Sequence, residues 1–279
     1  QEGNTRGSGE PTPDQATRQV HQSAPLLRSL VFIGGFASIG VELTMSRLIA
    51  PYFGSSTFIW ASLIGLTLTF LALGYYIGGR AADRWPHASL LYIVMAVAAI
   101  AVAAIPLAAR PLLLGSLEAF SALDAGAFYG TLAGTLLLLA VPVTLLGFVS
   151  PFAIRLRLVD VDSAGNTAGS LYALSTLGSI AGSFLPVLLL IPWLGATATL
   201  VTMSLLLLLP ALAGLFILRS RATAAVLAVI ALAVPAVTLA ASGGIRPADR
   251  GTLLHEEESA YNYIQVIDES GARELILNE

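Results

Sequence analysis

The sequence predicts an all-α polytopic membrane helical bundle of about seven transmembrane helices, followed by a β-hairpin that opens a soluble domain. Three observations carry that expectation. The chain of 279 residues is 56% hydrophobic and 11% charged, where a soluble domain averages about 25% charged. Its apolar residues fall into repeated runs near the length of about 20 residues that crosses a bilayer. From Ser242 onward the character changes to turn residues and then to a β-rich pattern.

Residues 1–25 are polar and rich in Gly, Pro, Ser and Thr, too poor in apolar side chains to pack, and are expected to be a disordered tail. The transmembrane domain is assigned to 26–241. Its first segment covers 29–50 and stops at Pro51, and the second covers 57–79 with Trp60 as an interfacial anchor. An Ala-rich third segment covers 88–109, and 110–124 reads as a short loop or surface helix. The fourth covers 127–149, with Pro142 inside it and Pro151 just beyond, and the remaining three cover 168–191, 197–218 and 222–241. Glycines one turn apart (Gly74 and Gly78, Gly130 and Gly134, Gly178 and Gly182) mark faces where helix backbones approach closely. The last pair stands out, because Ser175, Ser179 and Ser183 extend the same small face.

Orientation follows from arginine. All 14 basic residues are arginine. With the N-terminus in the cytoplasm, Arg28, Arg80, Arg84, Arg155, Arg157, Arg219 and Arg221 fall on cytoplasmic loops or helix ends, as the positive-inside bias requires. Trp85 then marks the cytoplasmic interface, and Tyr52, Trp60 and Trp193 the outer one. The expected location is the cell (inner) membrane, with the bilayer as the chief partner. Seven crossings place the C-terminal tail outside.

Two charges stand inside the first segment. Glu42 lies near mid-bilayer, about 18 Å along a helix that rises 1.5 Å per residue. A charge at that depth costs roughly 2.5–3.5 kcal/mol on insertion scales, which makes a functional role the first hypothesis to test. Arg47 is no local partner: five residues place it about 140° round the helix, and it sits near the outer end, where its guanidinium can snorkel to the interface. At the depth of Glu42, Thr67 and Thr69 of the second segment and Ser179 of the fifth are candidate hydroxyl donors. The competing readings are a satisfied structural carboxyl and a site for a cation, a proton or an amine.

Other chemistry is excluded by composition. The absence of cysteine removes disulfides, thiolate metal sites and cysteine nucleophiles. The absence of lysine removes Schiff-base and P-loop chemistry. His21, His87 and His255 lie far apart in polar segments, so no metal site is expected. No tightly bound cofactor and no nucleic-acid partner is expected, and a homo-oligomer is left open. The chain starts with Gln, has its first methionine at Met45, and stops at Glu279 inside a strand-like pattern; it reads as a piece of a longer polypeptide.

Residues 242–250 read as a linker and 251–279 as the start of the soluble domain. Tyr261–Ile267 and Arg273–Leu277 are rich in aromatic and β-branched or aliphatic residues, with a turn at Asp268–Gly271.

The tail HEEESAYNYIQVIDESGARELILNE resembles the N-terminal β-hairpin region of the polyamine aminopropyltransferases, the spermidine and spermine synthase family. Glu257 or Glu258, Ser259, Tyr261, Ile264, Val266, Leu275, Leu277 and Asn278 fit that family's pattern. The membrane part resembles the N-terminal region of its membrane-fused members in four blocks: GVELTMSRLIAPYFGSSTFIWASLIG, LGYYIGGRAADR, VPVTLLGFVSPFAIRL and AGSLYALSTLGSIAGSFLPVLLLIPWLG.

The resemblance implies a membrane-anchored enzyme that moves an aminopropyl group from decarboxylated S-adenosylmethionine, its co-substrate, to an amine such as putrescine. It implies that the hairpin opens a Rossmann-like α/β domain, truncated here, and that the catalytic acids follow it, so no catalytic residue is expected in this stretch. Asn262 occupies the position of a family glutamine that contacts the nucleoside-type ligand and is one methylene shorter. Ser175 stands where the membrane-fused members carry an asparagine. The donor of the related enzymes is cytosolic, in conflict with an outward-facing tail. Two other functions compete. GYYIGGRAADR also resembles the loop between the second and third helices of major facilitator transporters, with Gly79, Asp83 and Arg84 at matching positions. A non-catalytic membrane scaffold is the third.

Overall fold

The computed structural model describes residues 13–120, 126–158, 161–218, 220–241, 248, 250–259, 263–269 and 271–278. Eight helices precede a small antiparallel sheet: α1 (Pro13–Phe53), α2 (Thr57–Arg84), α3 (Ala88–Phe120), α4 (Gly126–Gly147), α5 (Val149–Arg157), α6 (Ala164–Leu185), α7 (Ile191–Ile217) and α8 (Arg221–Ala240). A π-helical stretch, Pro186–Leu190, joins α6 to α7. Among the described residues, six helical stretches are long and apolar enough to cross a membrane.

The breaks have local causes. Gly54 closes α1 with a positive φ of 81°, and its N–H returns to the Ala50 carbonyl at 2.8 Å, a left-handed C-cap that a side chain would strain. Pro86 ends α2, because proline cannot continue the helix and biases Trp85 toward extended backbone; the Trp85 N–H caps Ala81 at 2.8 Å. Pro151 has no N–H to give Gly147, so the chain turns at Phe148 and restarts as α5. Gly195 (φ 78°, ψ 168°) breaks the helical path between 161 and 217, in a region of backbone space reserved for glycine.

α1 is the hub. In its most apolar window 61% of residues are buried, against 22% in α8. It packs along α6 and also against α7 and α4, while α2 packs on α4 and α5, and α3 on α4, α7 and α8. All three glycine pairs sit at helix contacts. Gly74 meets Thr144 and Gly147, Gly78 meets Phe148, Gly130 meets Phe53 and Ser116, and Gly134 meets Leu113. The closest approach is between α1 and α6, where Gly178 and Gly182 lie on the backbone of Phe32 and Phe36, and Gly35 on that of Ser175.

Two buried hydroxyls tie α3 to its neighbours. Ser204 of α7 donates to the Ala99 carbonyl at 2.7 Å, and Thr238 of α8 donates to the Ala103 carbonyl at 2.8 Å. Gly214 of α7 lies flat on the Tyr92 ring. These contacts make α7 antiparallel and α8 parallel to α3, so α8 finishes at the end of the bundle away from Arg80, Arg84, Arg155 and Arg221.

The sheet follows there, and β1 touches α7. Its strands are β1 (Thr252–Glu258), β2 (Tyr263–Glu269) and β3 (Ala272–Asn278), in the order β1-β2-β3. Both pairings are antiparallel, with a register shift between Leu253 and His255. Tyr263, Gln265 and Ile267 alternate onto a buried face. The turn into β3 uses Gly271 at φ 85°, whose N–H bonds the Asp268 carboxylate at 3.0 Å.

Several expectations need correction. The helix begins at Pro13, so the expected disordered tail of 1–25 is helical from 13 on: an apolar helix propagates backward once nucleated. Of the connection 110–124, expected as a short loop or surface helix, residues up to Phe120 are helical and continuous with α3, which holds Pro106 and Pro111 inside it. By contrast, the expected segments 168–191 and 197–218 correspond to α6 with its π-helical stretch and to α7, which run on as Val161–Ile217 with a break at Gly195. The expected hairpin is a three-stranded sheet. β1 escapes notice in the sequence because LHEEE carries charges in place of β-branched residues. Of the linker assigned to 242–250, residues 242–247 and 249 lie outside the described residues.

The glycine contacts predict an asymmetric mutational response. Gly182→Val forces α6 off α1 and is expected to lower stability by roughly 1–3 kcal/mol, read as a lower thermal midpoint of the purified protein. Gly65→Ala, where a methyl group meets nothing within 4 Å, is expected to leave the midpoint unchanged or slightly raised. Equal losses at both positions would contradict the packing.

Candidate functional site: the buried Glu42 and the arginine end

Glu42 lies in the membrane-spanning part of α1 and is 8% exposed. Among the described residues it makes no hydrogen bond and no ion pair. The three hydroxyls expected to serve it do not. Thr69 donates to the Gly65 carbonyl at 2.7 Å on its own helix, Ser179 donates to the Gly35 carbonyl at 3.2 Å, and Thr67 is fully buried with no partner among the described residues. For Thr69 the bond one turn back on its own helix wins over a distant carboxylate, whereas Ser179 gives its proton across to the α1 backbone. Arg47 is half-buried, bonded elsewhere, and not paired with Glu42.

The surroundings follow from helix geometry. Glu42 is two turns beyond Gly35, about 20° from the same line on the helix, with Ser38 and Ser46 one turn to either side. α6 runs parallel to α1, since Gly178 meets Phe32, Gly182 meets Phe36, and Pro186 meets Gly40. Each step is four residues on both helices, so Ser179 stands beside Gly35 and Ser183 one turn further toward Glu42. α2 leans away onto α4 and α5 and does not pack along α6. On the Gly35–Ser46 line of α1, Ser38 and Glu42 are both buried. Tyr75 of α2 and Tyr172 of α6 lie close enough to interact electrostatically.

The arginine end is built separately. Arg155 of α5 bonds Asp83 of α2 through Nε at 3.1 Å. Arg80 stacks over the Tyr76 ring, 3.7 Å from its centroid, and Arg84 lies 5.2 Å from the centroid of Trp85. Gly79–Arg84, the stretch that resembles a transporter loop, is the last turn and a half of α2 rather than a loop. Both partners of the Asp83–Arg155 pair are well exposed, so it holds α5 against α2 with at most about 1 kcal/mol.

In the sheet, Tyr263 donates to Glu256, and the Gln265 amide donates to the Tyr263 hydroxyl at 2.8 Å. Arg250 bridges Glu274 at 2.6 Å and Glu269 at 3.3 Å. Asn262, the position expected to meet a nucleoside, lies outside the described residues. The Gln265–Tyr263–Glu256 chain was not anticipated; its only trace in the sequence is polar residues on the buried side of an alternating strand. No family model matches the chain, and no curated protein and no solved structure is similar to it.

An unpartnered carboxylate in an apolar setting is costly, and a neutral amide of the same shape costs less. Glu42→Gln is therefore expected to hold or raise the thermal midpoint of the purified protein. A clear drop would show that the carboxylate is paired.

Proposed function

We propose that the chain is the membrane domain of an aminopropyltransferase-like protein of polyamine metabolism, with the three-stranded sheet as the start of its soluble α/β part. The observation that carries the reading is the order of parts: an apolar helical bundle, then an antiparallel sheet whose strands β2 and β3 cover the stretch that resembles the synthase hairpin. The co-substrate of such a protein is decarboxylated S-adenosylmethionine and the acceptor a putrescine-like amine. The chemistry is attack of a neutral amine on the carbon beside a sulfonium, with a carboxylate taking the proton. The resemblance locates that carboxylate beyond Asn278.

We read the bundle as seven crossings of the cell membrane with a cytoplasmic N-terminus. Val161–Ile217 has 57 residues, about 85 Å if straight, against a hydrocarbon core of about 30 Å. The glycine break at Gly195 supports two crossings. Arginines gathered at one end support a cytoplasmic location for that end. The sheet then faces outward, away from a cytosolic donor, so sidedness decides whether this part of the protein can catalyse.

The cysteine-free sequence makes sidedness measurable. Single cysteines at Leu254 in β1 and at His87 beside Trp85 are expected to react oppositely with a membrane-impermeant maleimide on intact cells: Leu254→Cys labels, His87→Cys does not. Labelling of both from one side would reject seven crossings. For the activity, the gene product read through to its stop codon is expected to convert putrescine and decarboxylated S-adenosylmethionine to an aminopropylated amine. A folded protein that forms none would sink the assignment.

A second reading, an amine carrier, is favoured by one observation: Glu42 is a buried carboxylate without a partner among the described residues. Uptake of labelled putrescine into proteoliposomes, abolished by Glu42→Gln, would select it over the enzyme.

A further inference from the structure

We propose that the exposed face of α2 at the arginine end binds an anionic phospholipid, its phosphate on Arg80 and Arg84 and an acyl chain along Leu73 and Ile77. The proposal needs only that α2 lies in a membrane. Aminopropyl transfer and the number of crossings do not enter it.

Helix geometry assembles the face. At 100° per residue, Leu73, Tyr76, Ile77, Arg80 and Arg84 fall within about 100° of one another around α2, and all five are exposed. Leu71, Gly74, Gly78 and Ala82 lie on the opposite side and are buried, where α2 packs on α4 and α5. Along the helix axis the exposed face therefore changes from apolar to doubly cationic, with the arginines in the last two turns. A phospholipid carries the same sequence of parts, chain and then phosphate. A soluble anion would have no use for the apolar stripe.

The ion pairing at this end leaves the two arginines to a ligand. Asp83, the acid between them, is bonded by Arg155 through Nε at 3.1 Å. Arg80 and Arg84 have no acidic partner among the described residues and lie over the rings of Tyr76 and Trp85. A ring face steadies the cation but takes up few of the five N–H donors that each guanidinium carries. Arg155 spends only its Nε among the described residues, so its two terminal nitrogens add donors beside Asp83. Guanidinium donors in a fixed fork match the paired oxygens of a phosphate. The carbonyl end of α2 carries only about half a negative charge, which two guanidinium charges outweigh.

The test uses the purified chain in a neutral maltoside detergent at constant ionic strength, with thermal unfolding as the readout. The probes are dihexanoylphosphatidylglycerol, dihexanoylphosphatidylcholine and inorganic phosphate. The glycerol lipid is expected to raise the midpoint saturably, and the other two are expected not to. Loss of charge-assisted contacts predicts an apparent affinity at least about tenfold weaker when Arg80→Gln and Arg84→Gln are combined. Arg221→Gln removes the same charge from α8, which packs on α3 and α7, and is expected to leave the affinity unchanged. If the double variant does not fold, Arg84→Gln alone is expected to show a severalfold loss. Equal affinity in wild type and the α2 variants would overturn the proposal. So would an equal loss in Arg221→Gln, no saturable shift with the glycerol lipid, or an equal shift with the choline lipid or inorganic phosphate.

Discussion

The rest of the bundle depends on one contact: the meeting of the α1 and α6 backbones at Gly35, Gly178 and Gly182. In a bilayer the hydrophobic effect does not drive helices together, since lipid tails are as apolar as leucine. Association rests on van der Waals packing and on backbone proximity allowed by small residues. A Cβ at Gly178 or Gly182 would collide with a carbonyl of α1. With α6 held this closely on one side of α1, α7 and α4 take other sides, and α2 is left to pack outside on α4 and α5.

The same contact explains why a carboxylate is tolerated without a partner. Along this seam Ser38 and Ser183 give their protons to carbonyls of their own helices, and Ser179 gives its proton to the Gly35 carbonyl across the contact. They therefore do not serve Glu42. Charge has been handled differently at the arginine end, where Asp83 pairs with Arg155 and Arg80 and Arg84 lie over aromatic rings. Those groups are exposed and their interactions small. The buried, unpaired group is the one whose energy a ligand can change.

Much of the helical fold was legible in the sequence. Apolar runs, prolines and the Gly178–Gly182 pair located the helices and their closest contact, because length and side-chain size alone decide these features in lipid. The extension of α1 back to Pro13, the run of α3 through Pro106 and Pro111, and the strand over LHEEE were not legible. Each depends on continuation or pairing with a neighbour rather than on local composition. The site was half legible. Glu42 announced itself by its cost, but the hydroxyls matched to it by depth alone failed, because depth says nothing of where a hydroxyl proton goes. Ser38 and Ser183 were visible only as small residues until their donors were placed.

The central claim is that α6 rests on α1 and not on α2. Disulfide cross-linking in the cysteine-free chain tests it most directly. With mild oxidation in native membranes, Ile39→Cys paired with Ser183→Cys is expected to cross-link, and Leu68→Cys paired with Ser183→Cys is not. Rapid cross-linking of the second pair with none of the first would place α6 against α2 and contradict the account.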